Sequence, residues 1–300
     1  MNTRLPVFNR QKFILMFIKA ADGNLSKLDF QKLLFLYHRQ CSSLFYDFIP
    51  YHYGCYSFQA NADLETLQNL GWLKVGEKEI TLLKYPEKGI EVNFQQAIEL
   101  KKFMSANVSL RGDELIKFVY KNHPYYAIKS RIVSSSGLNN SEIAEIKRAK
   151  SECIESDTVL FTIGYEGSSL ESYINKLIQK DVRLLCDVRN NPLSRKYGFS
   201  KAPLSIILLK IGIEYIHIPE LGIHSEERKN LNDVNDYKNL FEDYANSLQN
   251  KKMSIEKVFD LINRHKRVAL TCFEKEPKHC HRYYLSRFIE TEYGIKTADL

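Results

Sequence analysis

Three hundred residues, 44 % hydrophobic and 26 % charged, make a globular chain long enough for two domains with a core each, which excludes a disordered or fibrous protein. The longest apolar runs fall far short of the roughly 20 residues that span a bilayer, so no membrane partner is expected. A net charge of +7 suits an acidic partner such as nucleic acid without requiring one.

Residues 10–21 carry helical apolar spacing that Gly23-Asn24 breaks, and Ser26 is placed to cap a second helix over 27–41. An aromatic segment follows, Tyr46-Asp47-Phe48-Ile49-Pro50-Tyr51-His52-Tyr53-Gly54-Cys55-Tyr56-Ser57-Phe58. A helix over 61–70 ends at Gly71, and Trp72-Leu73-Lys74-Val75 opens a short hairpin. Helix, helix, aromatic loop, helix and β-wing predict a mainly helical, winged-helix-like recognition domain over residues 1–130. Lys32-Leu33-Leu34-Phe35, the Pro50 to Ser57 run and Asp63-Leu64 resemble antitoxin-type domains of the Panacea and SocA kind, which implies recognition of a macromolecule and carries no catalytic residue. A structural alternative is that the aromatics simply build a small domain's core.

Two more helices are expected over 95–131, with Pro124 interrupting the second. Ser134-Ser135-Ser136-Gly137 and a charged helix near Glu142 to Ala149 make residues 131–156 a linker or docking element. From Asp157 the pattern changes. Strands over 159–163, 182–186, 214–218 and 267–272 alternate with helices over 201–211, 237–248, 255–265 and 281–293, and Ile295-Lys296-Thr297-Ala298 offers a last strand. Such alternation predicts an α/β domain over 157–300 with a parallel, Rossmann-like sheet.

The ligand crevice of such a sheet lies at the carboxyl ends of its strands. Four loops leave that rim. They present Tyr165 and Glu166; then Asp187, Arg189, Ser194, Arg195 and Lys196; then His217, Pro219 and Glu220; and last Cys272, Glu274, Lys275, His279, Cys280, His281 and Arg282. Asp187, beside Arg189, reads either as an internal bridge or as a carboxylate held ionised for general-base work. Glu166 is a second catalytic candidate, or a cap on the helix that Ser168-Ser169 opens. Arg195-Lys196 suits a phosphate clamp or a solvated pair, and His217 a proton carrier or a core histidine. His281-Arg282, opening the final helix, is placed to grip an anion.

Cys272, His279, Cys280 and His281 are all metal-ligand types, but their spacing matches no common zinc arrangement and adjacent residues are expected to splay apart, so no metal and no other cofactor is expected. A nucleophilic Cys272 in a rhodanese-like or phosphatase-like cradle is disfavoured because Phe273-Glu274-Lys275-Glu276-Pro277 follows, acidic and without the needed glycines. The six cysteines, at 41, 55, 153, 186, 272 and 280, form no CxxC pair, and the polar opening Met1 to Pro6 has no signal-type core. Free thiols in a reducing cytoplasm are the expectation.

Taken in order, Thr162-Ile163-Gly164-Tyr165-Glu166-Gly167, Asp187-Val188-Arg189, Pro192, Ser194-Arg195, Gly198-Phe199, Tyr215, His217, Pro219-Glu220-Leu221-Gly222 and Cys272-Phe273-Glu274 with Cys280-His281-Arg282 resemble the family called domain of unknown function 488. The resemblance implies an α/β fold with these residues gathered in one pocket, and a link to nucleic-acid conflict systems such as antiviral defence; it leaves the reaction open.

The expected function is a metal-independent hydrolase acting on nucleic acid, DNA first, or on a nucleotide. Arg189, Arg195 and Arg282 would hold phosphates, Tyr165 or Phe199 would stack on a base, and Asp187 or Glu166 would activate water. Hydrolysis of the N-glycosidic bond of a modified base, as in a DNA glycosylase, fits an aromatic wall with a carboxylate. Ser194, His217, Glu220, Cys272, Glu274 and His281 complete the expected binding set. The rival is a non-catalytic sensor in which the same pocket recognises a base or nucleotide.

Overall fold

The computed structural model describes residues 4–41, 45–86, 89, 94–224, 226–227 and 234–300, and the chain divides into two compact units, Met1–Ser151 and Glu152–Leu300.

In the first unit the order is α1 (Asn9–Ala20), β1 (Asn24–Ser26), α2 (Lys27–Gln40), β2 (Ile49–Tyr51), β3 (Gly54–Tyr56), α3 (Phe58–Asn69), β4 (Leu73–Val75), β5 (Glu79–Leu82), α4 (Phe94–Ala106), α5 (Gly112–Asn122) and α6 (Asn140–Ser151). Ser26 caps α2 as its position suggests, its Oγ accepting from Asp29 N at 2.9 Å. Ser57 does the same for α3 by accepting from Ala60 N at 3.2 Å, which starts that helix at Phe58, three residues earlier than periodicity predicts. The predicted hairpin is β4–β5, and β1 joins it to give an antiparallel sheet in the order β1-β5-β4. A three-residue strand such as β1 has too few positions to show a period, and pairing with β5 creates it.

The aromatic segment folds as a second hairpin, β2–β3. Its turn depends on Gly54, at φ 101°, where a Cβ would stand 2.7 Å from the Tyr120 ring. Beneath it Lys32 is 1 % exposed, donates from Nζ to the Tyr53 carbonyl and lies 5.8 Å from the centre of the Tyr120 ring. Asp63 is also buried and accepts from Arg10 Nε at 2.6 Å, Gln11 Nε2 at 2.8 Å and Tyr46 Oη at 3.0 Å. The charged residues in the antitoxin-like stretch therefore tie this unit together internally. The charged helix α6 docks on the same unit through Ile146, while Ile132, Val133 and Leu138 pack against its core.

Burial pushes the Lys32 amine below its usual range, with only partial opposition from the charges of Cys55 and Asp29. A base with a lowered folded pKa is penalised while it is protonated. Between the folded value and the unfolded 10.5 the unfolded chain binds more protons, so this contribution to stability rises with pH. Lys32→Met should remove that rise. Denaturant titrations of both proteins at several alkaline pH values should give a stability difference that shifts in favour of wild type as pH increases; a pH-independent difference would contradict the assignment.

In the second unit the order is β6 (Val159–Gly164), α7 (Leu170–Gln179), β7 (Leu184–Asp187), α8 (Lys201–Lys210), β8 (Glu214–His217), α9 (Val234–Ser247), α10 (Lys252–His265), β9 (Arg267–Cys272), α11 (His281–Tyr293) and β10 (Thr297–Asp299). The five strands form one sheet in the order β10-β6-β9-β7-β8 with every pairing parallel. Strands β6, β7 and β9 are buried at every position, which explains their continuous apolar runs, whereas the edge strands β8 and β10 are only partly covered. Leu160, Leu184, Cys186, Val268 and Leu270 pack on one face against α9, α10 and α11. On the opposite face Tyr173 of α7 donates to Thr271 Oγ1 at 2.8 Å. Strand β7 starts two residues later than predicted, because Asp181 turns at φ 47° and Val182 N still caps α7 by donating to Leu177 O. Part of the polar stretch 224–236 lies outside the described residues. Among the described residues no helix is long and apolar enough to cross a membrane.

Candidate functional site

Strand β6 ends at Gly164 and strand β9 at Cys272, neighbours in register, so the first and fourth loops leave the sheet side by side. They are bonded together. Tyr165 N and Glu166 N both donate to the Phe273 carbonyl, at 3.1 and 2.9 Å, and Lys275 N donates to Glu166 Oε2 at 3.0 Å. Arg282 lies beneath at 1 % exposure, donating from Nη1 to Glu274 O at 2.6 Å, from Nη2 to Lys275 O at 3.2 Å and from Nε to Thr162 Oγ1 at 3.4 Å. Its planar fork shapes a loop of this chain, with its bonds going to two carbonyls and a hydroxyl. Glu166, exposed, anchors the fourth loop's backbone.

Asp187 ends β7 fully buried and forms a fork-to-fork pair with Arg189, Nε to Oδ1 at 2.9 Å and Nη2 to Oδ2 at 2.5 Å. Arg189 N also donates to Oδ1 at 3.1 Å, and Tyr215 Oη to Oδ2 at 2.6 Å. Burial first, and the Asp187 charge second, push the Tyr215 phenol well above its usual range, so it stays a donor. Arg189 spends its remaining nitrogen, Nη1, on Tyr165 Oη and Phe199 O, both at 2.9 Å. Burial opposes its charge, but hydrogen bonds and charge from Asp187 outweigh that and hold it protonated. The internal-bridge alternative is thus the geometry of Asp187, and Arg189 has no face for phosphate.

Tyr165 and Phe199 stack on each other, 4.4 Å apart at 11°, and Tyr173 meets Phe199 edge-on at 5.2 Å. Phe199 is fully buried and Tyr165 is 3 % exposed. In this structure the two rings are spent on each other and on Tyr173 inside the fold. Ser194 shapes its own loop, exchanging bonds with Ser200 and accepting from Lys196 N at 3.1 Å. Lys196 donates to Tyr165 O at 3.1 Å, and burial pushes its amine down. His217 Nδ1 accepts from Lys201 at 3.2 Å, since an ammonium only donates, and its Nε2–H donates to Arg189 O at 2.8 Å. Arg195 is exposed and has no partner among the described residues.

The third loop borders open space. A cleft of about 650 Å³ is lined by Asn190, Pro219, Glu220, His224, Glu227, Asp243, Tyr244, Ser247 and Lys251. Of these, only Pro219 and Glu220 are rim residues recognised from sequence. Its floor is fixed. Tyr244 Oη donates to Leu221 O at 2.7 Å, Lys251 lies 4.9 Å from the centre of the Tyr244 ring, and a Cβ on Gly222 would fall 2.3 Å from Asn190 N. Ser247 stands at i+4 from Asp243 and i+3 from Tyr244, so the three share one face of α9 and form this wall.

On the side of the sheet that carries α9, α10 and α11, Cys272, Cys280 and His281 come together, all buried, with one ligand atom from each within 4.8 Å of the others. The expected splaying of Cys280 and His281 does not occur. Cys280 is extended (φ −144°, ψ 140°) ahead of the first turn of α11, which turns both neighbours back toward the end of β9. His281 Nδ1 lies 3.8 Å from Cys272 Sγ and 3.7 Å from Cys280 Sγ.

Residues 169–289 match the family model described as Domain of unknown function DUF488, which bears out the resemblance over that span and leaves β6 and the Tyr165-Glu166 loop outside it. No curated protein and no solved structure matches the chain.

Proposed function

We propose that the second unit is a hydrolase acting on a nucleotide or on a base within nucleic acid, and that its chemistry lies in the cleft of Asn190, Glu220, His224, Glu227, Asp243 and Lys251. The observation that carries this is the cleft itself: three carboxylates, an imidazole and an ammonium line open space beside the third of the four rim loops. Its volume lies within the roughly 300–1,000 Å³ of small-ligand sites. N-glycosidic hydrolysis needs a carboxylate to activate water and to stabilise the charge that develops on the sugar, which Glu220, Glu227 or Asp243 supplies in place of Asp187. The exposed cations Arg195, Lys201, Lys275 and Lys278 favour a polyanion. A sensor that binds without turnover is the second reading, favoured by the self-satisfied Asp187–Arg189 pair.

The test is incubation of the full chain with plain DNA, modified-base DNA and nucleoside 5′-phosphates, with released base measured by mass spectrometry. Release should fall roughly a hundredfold or more in Asp243→Asn or Glu220→Gln, the range for losing a general base. DNA affinity should fall steeply with salt, and less steeply in Arg195→Ala. Salt-sensitive binding with no base released selects the sensor; no binding at low salt overturns both.

A further inference from the structure

We propose that Cys272, Cys280 and His281 form a zinc site that staples the start of α11 to the end of β9, independently of the function proposed for the cleft.

Two observations converge on it. The first is distance. In a tetrahedral site with Zn–S of about 2.3 Å and Zn–N of about 2.0–2.1 Å, sulfur and nitrogen ligands stand about 3.6 Å apart. The two sulfur-to-Nδ1 distances, 3.8 and 3.7 Å, are close to that separation. The second is tautomer. His281 Nε2 lies 3.0 Å from the Val188 carbonyl, which only accepts, so Nε2 carries the proton and Nδ1 presents its lone pair to the sulfurs. Metal-bound histidines are oriented by this kind of bond from the other ring nitrogen. Tyr244 packs on the ring, 5.3 Å away at 73°.

Two thiolates with an imidazole select a soft or borderline cation over magnesium or calcium. On binding, each thiol releases its proton to solvent while Zn–S bonds form, and no electron is transferred. In the metal-free alternative the Cys272 thiol donates to Glu274 Oε2 and His281 Nδ1 accepts from the Cys280 thiol.

The experiment uses the full chain, stripped with a chelator and reconstituted with zinc sulfate. Wild type and the control Cys153→Ser should bind one zinc per chain by elemental analysis, while Cys272→Ser and Cys280→Ser should retain less than about one-tenth of that. Zinc should also raise the melting temperature of wild type. If the serine variants do not fold, wild type alone still decides: cobalt substitution should give thiolate-to-cobalt charge transfer with tetrahedral visible bands, and zinc-edge absorption should show two sulfur scatterers. Absence of zinc from wild type, undiminished zinc in the folded serine variants, a first shell of oxygen and nitrogen only, or a Cys272–Cys280 disulfide in the purified protein would each overturn the proposal.

Discussion

Asp187→Asn should destabilise the second unit by about 3–5 kcal/mol, the usual consequence of removing one member of a buried ion pair. The substitution is nearly isosteric, so no cavity confuses the result. It leaves Arg189, 5 % exposed, with its charge uncompensated, and it leaves Tyr215 Oη and Arg189 N facing a weaker acceptor. For a unit of this size the melting temperature should fall by roughly 10 °C. Tyr215→Phe removes only one donor from the network and should cost about 1–2 kcal/mol. The double variant Asp187→Asn, Arg189→Met should recover part of the loss, since an apolar replacement of both partners is tolerated better than an orphaned charge. Calorimetry on the three variants checks the order. A folded Asp187→Asn protein that melts with wild type would show that the pair does not hold the loop.

The same pair shows how far the sequence could be read. Asp187 at the end of an apolar run two residues before Arg189 identifies a polar group at a strand end, and its burial is a tertiary property. Register decides it: Asp187 pairs with His217 and Leu185 with Tyr215 in β8, which brings the Tyr215 hydroxyl to the carboxylate. The order of strands, with β9 between β6 and β7, is likewise invisible to periodicity, and it is what places the first and fourth loops together. The sheet was legible because the strands buried on both faces read as unbroken apolar runs, and α7 and α10 carry a clear 3.6-residue period.

The cleft was legible only at Pro219 and Glu220, because its other wall comes from α9 and the turn before α10, far along the chain. Asp243 and Lys251 resemble any solvated helix-end residues until that wall folds over the third loop. Cys272, Cys280 and His281 are metal-ligand types whose linear spacing matches no common zinc arrangement. Cys272 and the Cys280-His281 pair instead meet because β9 and α11 converge across a short loop. The gathered motif residues divide, accordingly, into those that fix the loops and those that face solvent, and the first group is the larger.

Gly164→Ala tests that division most directly. The methyl group would stand 1.7 Å from the Glu274 carbonyl oxygen and 2.6 Å from its carbon, with Arg282 Nη2 at 3.1 Å. The nearest atoms are backbone, so the contact cannot be relieved by a rotamer change. Retreat of the fourth loop would break the Arg282 bond to Glu274 O and strain the two bonds that Phe273 O accepts from Tyr165 and Glu166. Overpacking of this kind costs about 1–3 kcal/mol. Losing a hydrogen bond from a buried guanidinium adds about 1–3 kcal/mol, so a total near 4 kcal/mol is expected. The effect is steric and owes nothing to a left-handed backbone, which distinguishes it from Gly212→Ala, where φ is 78°, the space is open and only about 1–2 kcal/mol of strain applies. The displacement also pulls Cys272 and Glu274 from His281, so Gly164→Ala should lose bound zinc under conditions where Gly212→Ala keeps it. Equal melting temperatures for the two alanine variants would mean that the first and fourth loops are not locked together; a large drop for Gly164→Ala alone would show that they are.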